Sequence, residues 1–413
     1  MPLREVGKIA CRDYGVVGII AEYNPFHTGH LYHMEAACRQ SGAKATIVIL
    51  SSNFVQRGEP AFLEKRTRTE MALAHGADLV VELPALYSSH NAGVFAAGAV
   101  DLLASTGLVT HLCFGMETPE KVDEKLLDVL LLEPETFKKA LAAHLKSGFS
   151  YAEARSRAAD SLVPGAKDIL SKPNNTLAFS YLLRLREKHY SIKPLPVRRI
   201  GGAYHSTETG FLPSATAIRR ALREKQTEIL KALPEESARL IARDIRQGRC
   251  LLSTMYYWRI LRSVIIRLKA EEIRRYAEMS EGLEHRILER AKRSGSLEDF
   301  VESCVSKRYP RGRIQRHLVH ILLGLRHEDN RRAQMTSPPY IRVLGMNESG
   351  KRLLRDMKET ASLPVLFRHK DFRDSFEKTV AEIEYRACGL WENLVDSPEP
   401  GRERVAPPVF FSR

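Results

Sequence analysis

The stretch GVVGIIAEYNPFHTGH, Gly15–His30, contains the features that decide the fold. Its first part, residues 15–21, is a continuous apolar and β-branched run, which is typical of a strand buried on both faces of a sheet. An Asn-Pro pair then gives a turn signal, and two histidines, His27 and His30, follow with one glycine between them. The stretch therefore predicts a buried strand, a turn and the start of a helix.

The same alternation of strand and helix continues through the first half of the chain. Further strand-like runs are predicted at 45–52, 78–84, 111–115 and 193–200, with helical patterns between them. Such alternation predicts an α/β fold with a Rossmann-like parallel sheet and crossover helices. Ligands of such sheets bind at the carboxyl ends of the strands, and the loop after residue 21 lies there.

The pattern changes near residue 226, where arginine-rich helices replace most strands. We therefore predict four parts: a leader at 1–14, an α/β domain at 15–225, a mainly helical basic domain at 226–395, and a loose, proline-rich tail at 396–413. Within the helical part, the run at 338–357 is predicted to bring back one strand followed by a helix.

The 413 residues carry a formal net charge of +14, and this excess is uneven. Residues 1–200 hold 24 basic and 21 acidic side chains, whereas residues 201–413 hold 40 basic and 29 acidic ones. A polyanion is the natural partner of such a basic half, and nucleic acid is the commonest polyanion. The alternative is a basic protein that has no such partner.

The six cysteines are scattered along the chain and form no C-x-x-C pair. This spacing argues against a zinc ribbon and a disulfide framework, and favours a reducing, cytoplasmic setting. Residues 1–14 lack the apolar core of a signal peptide. No apolar run approaches the roughly 18 residues of a membrane helix, so we expect no membrane association.

The junction that contains the two histidines has the properties of an anion site. A helix start leaves free backbone N–H groups, and its dipole favours negative charge. Gly29 lets the chain approach a ligand closely, and His27 and His30 can donate hydrogen bonds to phosphate oxygens. No carboxylate or cysteine stands beside them at metal-ligand spacing, so we predict no metal site. The alternative is a helix N-terminus that two polar residues cap.

The run AEYNPFHTGH resembles the signature G-x-F-D-P-x-H-x-G-H of the HxGH nucleotidyltransferase superfamily. Its proline, its glycine and both histidines match. Ala21 stands where glycine is usual, and Asn24 stands where aspartate is usual. The resemblance implies an HxGH nucleotidyltransferase fold for the α/β domain, with the histidines at the triphosphate of ATP.

A second signature of that superfamily, S-S-T-x-I-R, is similar to SATAIR at 214–219. Ser214, Thr216, Ile218 and Arg219 match it, and an alanine replaces the second serine. Two matches about 190 positions apart, each beside a predicted helix start, are more specific than either alone. The resemblance places Ser214 and Arg219 opposite the histidines, facing the triphosphate across the cleft.

Longer segments resemble the bacterial tRNA(Met) cytidine acetate ligase family over roughly residues 15–390, and the two departures from the superfamily pattern agree with this narrower family. The segments are GIIAEYNPFHTGHLYH, SSNFVQRGEPAFLEKRTRTEMAL, GADLVVELP, CFGMET, KPNNTLAFSYL, SATAIR, SKRYPRGRIQRHLVHILLG and YIRVLGMNESGKRLLR. The resemblance implies an enzyme that activates acetate with ATP, without acetyl-CoA. The acetyl group then passes to the wobble cytidine of elongator tRNA(Met), and Mg²⁺ is the expected companion of ATP.

The resemblance also implies the site residues, with His27 and His30 in the catalytic role. Asn175 stays open as an alternative to Asn174. The implied ATP site consists of Ile20, Ala21, Glu22, Tyr23, Asn24, Pro25, Phe26, Thr28, Gly29, Leu31, Tyr32, His33, Gly115, Asn174 or Asn175, Arg199, Ser214, Thr216 and Arg219.

The loop after the second predicted strand, SSNFVQRGEP, begins at the same edge of the sheet. Its polar residues Ser52, Asn53, Gln56 and Arg57 are therefore candidates for binding acetate or the acceptor base. The alternative is a structural loop in which residues 58–60 form a turn.

The densest basic patch is SKRYPRGRIQRH, residues 306–317. We predict that its cations bind tRNA and that Tyr309 stacks on a base, whereas the alternative is a solvated helix face. The cations of the patch are Lys307, Arg308, Arg311, Arg313 and Arg316.

Two other functions remain open from the sequence. One is a different HxGH nucleotidyltransferase that adenylylates a small phosphorylated substrate, which leaves the basic half unused. The other is a tRNA-binding protein with a relic nucleotide site, against which the intact His27, His30 and Ser214 argue.

Overall fold

The computed structural model describes residues 15–199, 213–279, 282–368 and 375–412. The predicted leader and the loop before SATAIR lie outside these ranges. The strands are β1 Val16–Ala21, β2 Ala45–Ser51, β3 Phe54–Val55, β4 Glu59–Pro60, β5 Leu79–Leu83, β6 His111–Met116, β7 Lys193–Arg198, β8 Ile341–Met346, β9 Val365–Leu366 and β10 Val409–Phe410.

Helices cover both faces of the sheet and make up most of the second half. They are α1 Thr28–Ser41, α2 Lys65–Ala74, α3 Ala85–Ser88, α4 Ala92–Ser105, α5 Glu124–Leu132, α6 Glu135–Lys146, α7 Tyr151–Asp160, α8 Ala166–Leu170, α9 Pro173–Glu187, α10 Ala215–Arg223, α11 Glu235–Arg246, α12 Met255–Arg267, α13 Ala270–Ile273, α14 Leu283–Arg293, α15 Leu297–Cys304, α16 Arg311–Leu323, α17 His327–Met335, α18 Glu348–Thr360, α19 Ser375–Glu392 and α20 Arg402–Val405. Two short 3₁₀ helices lie at Pro119–Lys121 and Thr227–Ala232.

The main sheet has the strand order β10-β8-β5-β2-β1-β6-β7, with β9 added beside β8. Strands β5, β2, β1, β6 and β7 pair in parallel, as the alternation of strand and helix predicts. The predicted α/β class is confirmed, with one difference: β8 pairs with β5 antiparallel, so the sheet is mixed.

Period-two alternation along the central strands builds an apolar core on each face of the sheet. In β2, Ile47 and Ile49 pack into one cluster, whereas Val48 and Leu50 pack into the other. Gly18 in β1 permits close helix packing, because a Cβ there would come within 2.8 Å of the Leu103 side chain.

The last part of the chain returns to the sheet. Strand β8 and helix α18 form where the sequence predicts a strand followed by a helix. The prediction of a loose tail is wrong for residues 396–412, because β10 pairs in parallel with β8 and Arg66 donates to the carbonyl of Pro407. The proline-rich composition suggests a segment without regular structure, whereas contacts with β8 and α2, far away in the sequence, hold it in place. The domain boundary at 225/226 stays a prediction. Strand β8 follows that boundary in the sequence but pairs with β5, which precedes it.

Within the described ranges, no helix combines the length and the apolar character that a bilayer-spanning segment needs.

Candidate active site

The motif loop, residues 22–27, leaves the carboxyl end of β1 at the point where the strand order reverses. From β1 the chain adds β2 and β5 on one side and β6 and β7 on the other. Helix α1, which starts at Thr28, therefore begins above the crevice between β1 and β6. Crevices of this kind are the usual ligand sites of open α/β sheets.

His27 and His30 close a reciprocal capping box at the start of α1. His27 Nδ1 accepts from the Gly29 N–H at 3.0 Å, and His30 Nδ1 accepts from the His27 N–H at 3.3 Å. The two rings stack with centroids 3.8 Å apart. The sequence predicts free N–H groups at this helix start; for Gly29 that is wrong, because its N–H is bound by His27.

These two hydrogen bonds fix the tautomer of each ring. A neutral imidazole whose Nδ1 accepts a hydrogen bond carries its proton on Nε2. His27 and His30 thus each keep one Nε2–H donor after they have capped the helix. Capping and ligand binding are therefore compatible functions of the same pair.

Burial keeps the histidines of this site neutral. It lowers the pKa of His27 and of His33 to about 4, and the charge of Arg199 adds to the effect. The pKa of His30 falls well below its usual value for the same main reason, with His27 and Arg199 as further causes. The exposed Arg199 thus lies close enough to three neutral imidazoles to act on them electrostatically, and this arrangement suits a polyanionic ligand.

Arg199 reaches this volume from the end of β7, across Gly115 of β6. A Cβ built on Gly115 would come within 3.1 Å of Arg199 Cγ, so the bare backbone makes room for the arginine side chain. The backbone N–H of Arg199 donates to Met116 at 2.9 Å. Gly115 and Arg199 therefore belong to one feature of the site.

Asn174 and Asn175 start helix α9 and differ in how their side chains are used. Asn175 is fully buried; its amide oxygen accepts from the N–H groups of Glu117 and Thr118, and its amide nitrogen donates to Thr118 Oγ1 and to the Ile169 carbonyl. Asn174 is half-buried and its Nδ2 donates to Glu117 Oε1 at 2.6 Å. Asn174 is thus the member of the pair with capacity left for a ligand.

Glu117 is a residue that the sequence reasoning missed. Its carboxylate accepts the backbone N–H of Asn174 through Oε1 and that of Asn175 through Oε2, and so caps α9. The available signal was its position, directly after the fourth predicted strand in the segment CFGMET. A carboxylate at that place orients the asparagine pair.

Arg219 joins the second signature to the motif loop. Its guanidinium donates to the Asn24 carbonyl at 2.7 Å and to Glu59 Oε1 at 2.7 Å, and the side chain is buried. The Asn24 side chain accepts from the Phe62 N–H at 2.7 Å. Asn24 therefore ties two loops together, and Arg219 holds the motif loop from the other side.

Ser214 and Thr216 lie at the start of α10. Ser214 is its N-cap and accepts from the Ala217 N–H at 3.2 Å, and Thr216 is exposed. Helix α10 packs through Ile218 against the same apolar cluster as β1 and α1. The two signatures thus rest on one core.

The comparisons with known proteins agree with this geometry. The model of the HIGH nucleotidyl transferase family matches residues 14–404. A tRNA(Met) cytidine acetate ligase of Acetivibrio thermocellus is 37% identical over 397 residues, which cover 93% of this chain and 96% of the relative. One of Halothermothrix orenii is 38% identical and covers 85% and 86% of the two chains.

The chain belongs to the tRNA(Met) cytidine acetate ligase family. It is therefore an enzyme of the ligase class, on the HIGH nucleotidyltransferase fold, as the resemblance predicts.

Solved structures of the family support the fold in detail. The apo enzyme of Thermotoga maritima superposes with a TM-score of 0.88 at 30% identity, over 97% of this chain and 100% of that one. The T. maritima enzyme bound to alpha-thio ATP gives a TM-score of 0.87 with the same coverage.

The remaining residues that the resemblance predicts for the ATP site mostly build the loop. Ile20 and Ala21 end β1, and the Asn24–Pro25 peptide is cis. Tyr23 has a left-handed backbone at φ 45°, and its ring lies 4.7 Å from that of Phe26. The other members lie on α1: Thr28 donates to the Ala232 carbonyl, Leu31 and Tyr32 pack on the core, and His33 Nε2 lies 3.3 Å from Cys113 Sγ.

The loop after β2 divides into a buried and an accessible part. Ser52 donates to Glu384 at 2.6 Å, and Asn53 accepts from the Lys65 N–H at 2.7 Å, so both side chains hold the fold together. Gln56 is half-buried and Arg57 is exposed. The backbone N–H of Gln56 donates to Glu22 at 2.9 Å, which brings this part beside the motif loop.

Glu22 is a carboxyl group next to that loop. Burial raises its pKa, while the nearby charges of Arg57 and Arg219 oppose the rise.

The basic patch at 306–317 is mostly engaged within the molecule. Tyr309 is 5% exposed and packs in the core, so the prediction that it stacks on a base is wrong. Local pattern could not reveal this burial, because its neighbours in the core come from distant segments. The cations contact other parts of the chain: Lys307 and Arg308 donate to carbonyls of Ser147 and Leu145, Arg311 pairs with Glu298 and Glu302, Arg313 lies over Tyr309, and Arg316 is half-buried.

Proposed function

We propose that this chain activates acetate with ATP and transfers the acetyl group to the wobble cytidine of elongator tRNA(Met), which gives N4-acetylcytidine. The observation that carries the proposal is the pair of Nε2–H donors on His27 and His30, fixed beside Arg199 at the carboxyl end of β1. The acceptor of the acetyl group, a cytidine of tRNA(Met), is taken from the names of the relatives.

In the first step, a carboxylate oxygen of acetate attacks the α-phosphorus of ATP, and pyrophosphate leaves. The bond between the α-phosphorus and the oxygen that bridges it to the β-phosphate breaks, and negative charge grows on the departing pyrophosphate. Donors that are already oriented stabilise such charge without reorganising. We assign this role to His27 and His30, with Arg199 as the nearby cation.

Mg²⁺ fits this site as an ion carried by the triphosphate. Within the motif loop, Glu22 is the residue that carries a carboxylate, and one of its oxygens accepts the Gln56 N–H. Mg²⁺ is commonly held by one or two carboxylates together with substrate phosphates. When bound, it would neutralise phosphate charge, and Glu22 would orient it.

In the second step, the exocyclic amine of cytidine attacks the acetyl carbonyl and AMP leaves. The base must leave its stack to reach the crevice, so the enzyme needs a platform for the anticodon stem. With the patch at 306–317 largely engaged, we assign this platform to helices α12 and α14, which contact each other through Arg262 and Ala291. Their exposed cations are Arg259, Arg267, Arg290, Lys292 and Arg293.

Tyr256, at the start of α12, is the aromatic side chain that we assign to stacking instead of Tyr309. It is 37% exposed, and its neighbour Tyr257 lies near Glu59, the partner of Arg219. Replacement of Tyr256 by alanine should weaken tRNA binding and leave ATP–pyrophosphate exchange unchanged.

Binding of tRNA should also fall steeply with salt, since phosphate contacts release counterions. Both substrates belong to the cytoplasm, which we propose as the compartment.

The experiment is ATP–pyrophosphate exchange with acetate as the sole carboxylate, with the purified full chain. We expect exchange that depends on acetate and needs no acetyl-CoA. Exchange that requires nicotinamide mononucleotide or phosphopantetheine instead would show a different nucleotidyltransferase. Retained tRNA binding without any exchange would show a relic nucleotide site.

A further inference from the structure

Three side chains from distant parts of the sequence meet away from the motif loop. His90 lies between α3 and α4, Glu278 lies in the turn after α13, and His320 lies on α16. One nitrogen or oxygen atom of each lies within 4.8 Å of the corresponding atoms of the other two. The rings of His90 and His320 have centroids 4.5 Å apart. This junction cluster joins the α/β part of the chain to the helical part.

His90 has no hydrogen-bonding explanation within the described residues. The side chain is 0% exposed, and neither ring nitrogen has a hydrogen-bond partner there. An unsatisfied buried polar atom destabilises the folded state, and such atoms are rare in native proteins. A ligand that accepts a nitrogen lone pair would remove this cost.

The spacing fits two ligands of one metal ion. His90 Nδ1 lies 3.7 Å from Glu278 Oε1, which is too long for a hydrogen bond. Two tetrahedral ligands at bond lengths of about 2.0–2.1 Å lie roughly 3.4 Å apart, so a small movement closes both bonds.

The surroundings orient two of the three groups. The Asn91 amide donates to Glu278 Oε1 at 2.5 Å and fixes the carboxylate. His320 Nε2 lies 3.0 Å from the Ser89 carbonyl, which can take its N–H. The other nitrogen, Nδ1, lies 3.3 Å from the Ala277 carbonyl. In the tautomer whose proton is on Nε2 and goes to Ser89, Nδ1 keeps its lone pair for a metal ion. Partners of this kind commonly hold metal-binding histidines and carboxylates in place.

We propose that His90, Glu278 and His320 form a Zn²⁺ site that fastens the helical part to the α/β part. Two imidazoles and one carboxylate are a ligand set that zinc accepts, with a fourth position left for water or another side chain. His317, one turn earlier on α16 and also buried, has its ring centroid 6.3 Å from that of His320 and is a candidate for that position. The sequence gives no signal for the site, because the ligands are 42 or more positions apart and share no motif.

Zinc binding by the purified full chain tests this proposal. The protein is treated with chelator, freed of ATP, and titrated with ZnCl₂ by calorimetry, and the thermal midpoint is measured alongside. We expect one saturable site per chain and a higher midpoint with zinc, since a ligand that binds only the folded state stabilises it. Absence of saturable binding would overturn the proposal.

Variants locate the ion. His90→Gln and His320→Gln should abolish saturable binding, and the gentler Glu278→Gln should weaken it by at least about 10-fold. His285→Gln removes an exposed histidine and is the matched control, with His30→Ala as the control for the motif histidines. Wild-type affinity in His90→Gln, or loss of binding only in His30→Ala, would place zinc elsewhere and refute the site.

If the histidine variants fold poorly, anomalous diffraction at the zinc edge from crystals of the wild-type chain decides the question. We expect a peak between His90, Glu278 and His320. Zinc-loaded crystals without that peak would contradict the proposal.

Discussion

In His27 and in His30, one ring nitrogen caps helix α1 and the other is available to a ligand. Nδ1 of His27 and Nδ1 of His30 accept backbone N–H groups, and this bonding leaves Nε2–H as the donor on each ring. Asn24, which replaces the acid of the wider superfamily, accepts the Phe62 N–H and so ties the motif loop to the segment after β4. The same few residues thus hold the loop in its conformation and supply its hydrogen-bond donors.

Replacement of His30 by alanine removes one of the two donors. We expect acetate-dependent ATP–pyrophosphate exchange to fall by about 10²–10³-fold, the usual effect of losing an oriented donor. Affinity for tRNA should stay within about two-fold, since the helical platform is separate; filter binding measures it. A large loss of tRNA affinity would show that our separation of the two sites is wrong.

The depressed histidine pKa values predict how stability depends on pH. His33 has a pKa of about 4 in the folded chain against 6.5 normally, so the unfolded chain binds the proton more readily. The stability contributed by neutral His33 is complete above about pH 6.5 and is lost as pH falls towards 4. Between pH 7 and 5 the wild type should lose roughly 1–2 kcal/mol more than His33→Gln.

Urea unfolding at the two pH values measures this difference. His285→Gln, which removes an exposed histidine, should behave as the wild type does. An equal pH response of His33→Gln and the wild type would mean that His33 does not titrate as a buried group.

At the scale of elements, the β3–β4 hairpin docks on helix α16 through a glycine. Gly58 has φ 82°, and a Cβ there would lie 2.3 Å from the Arg316 backbone nitrogen. The contact explains why the region of the basic patch is engaged rather than free. It also holds the loop that presents Gln56 and Arg57.

Gly58→Ala should therefore destabilise the chain by more than about 3 kcal/mol, because backbone strain of about 1–2 kcal/mol adds to a clash with α16. Gly148→Ala is the matched control: Gly148 has φ 80°, and nothing lies within 4 Å of a Cβ there. It should show the strain alone. Thermal or urea unfolding gives both values, and similar losses in the two variants would rule out the docking contact.

Local pattern predicts some elements well and others not at all. The β1 and β2 strands follow from apolar runs, and the start of α10 follows from Ser214, since these signals lie within a few residues. Burial of Tyr309 and pairing of β10 with β8 depend on contacts with distant segments. Among site residues, the sequence does not distinguish Asn175 from Asn174, because the partners of Asn175, Glu117 and Thr118, lie almost sixty positions away.

For the whole molecule, a buried charged group connects helix α2, in the first half of the chain, to the C-terminal segment. Lys65 on α2 contacts Glu82 at 2.5 Å, Glu384 at 2.7 Å and Glu403 at 2.7 Å, and its side chain is 3% exposed. Arg342 of β8 pairs with Glu82 and Glu403 as well. The group links α2, β5, β8, α19 and α20, so it fastens the C-terminal segment to the sheet.

Lys65→Met should cost about 3–5 kcal/mol of unfolding free energy, because three carboxylates lose their shared buried cation. Lys231→Met removes an exposed lysine that pairs with Glu228 and should leave the unfolding free energy nearly unchanged. Denaturant unfolding measures both. Equal costs would mean that the buried group does not fasten the C-terminal segment to the sheet.

The transfer reaction itself is the most direct test of the account. Labelled acetate, ATP and elongator tRNA(Met) are incubated with the full chain, and the tRNA nucleosides are analysed by mass spectrometry. We predict label in N4-acetylcytidine at the wobble position, without acetyl-CoA. Unlabelled tRNA, a label on another nucleoside, or a requirement for acetyl-CoA would contradict the account.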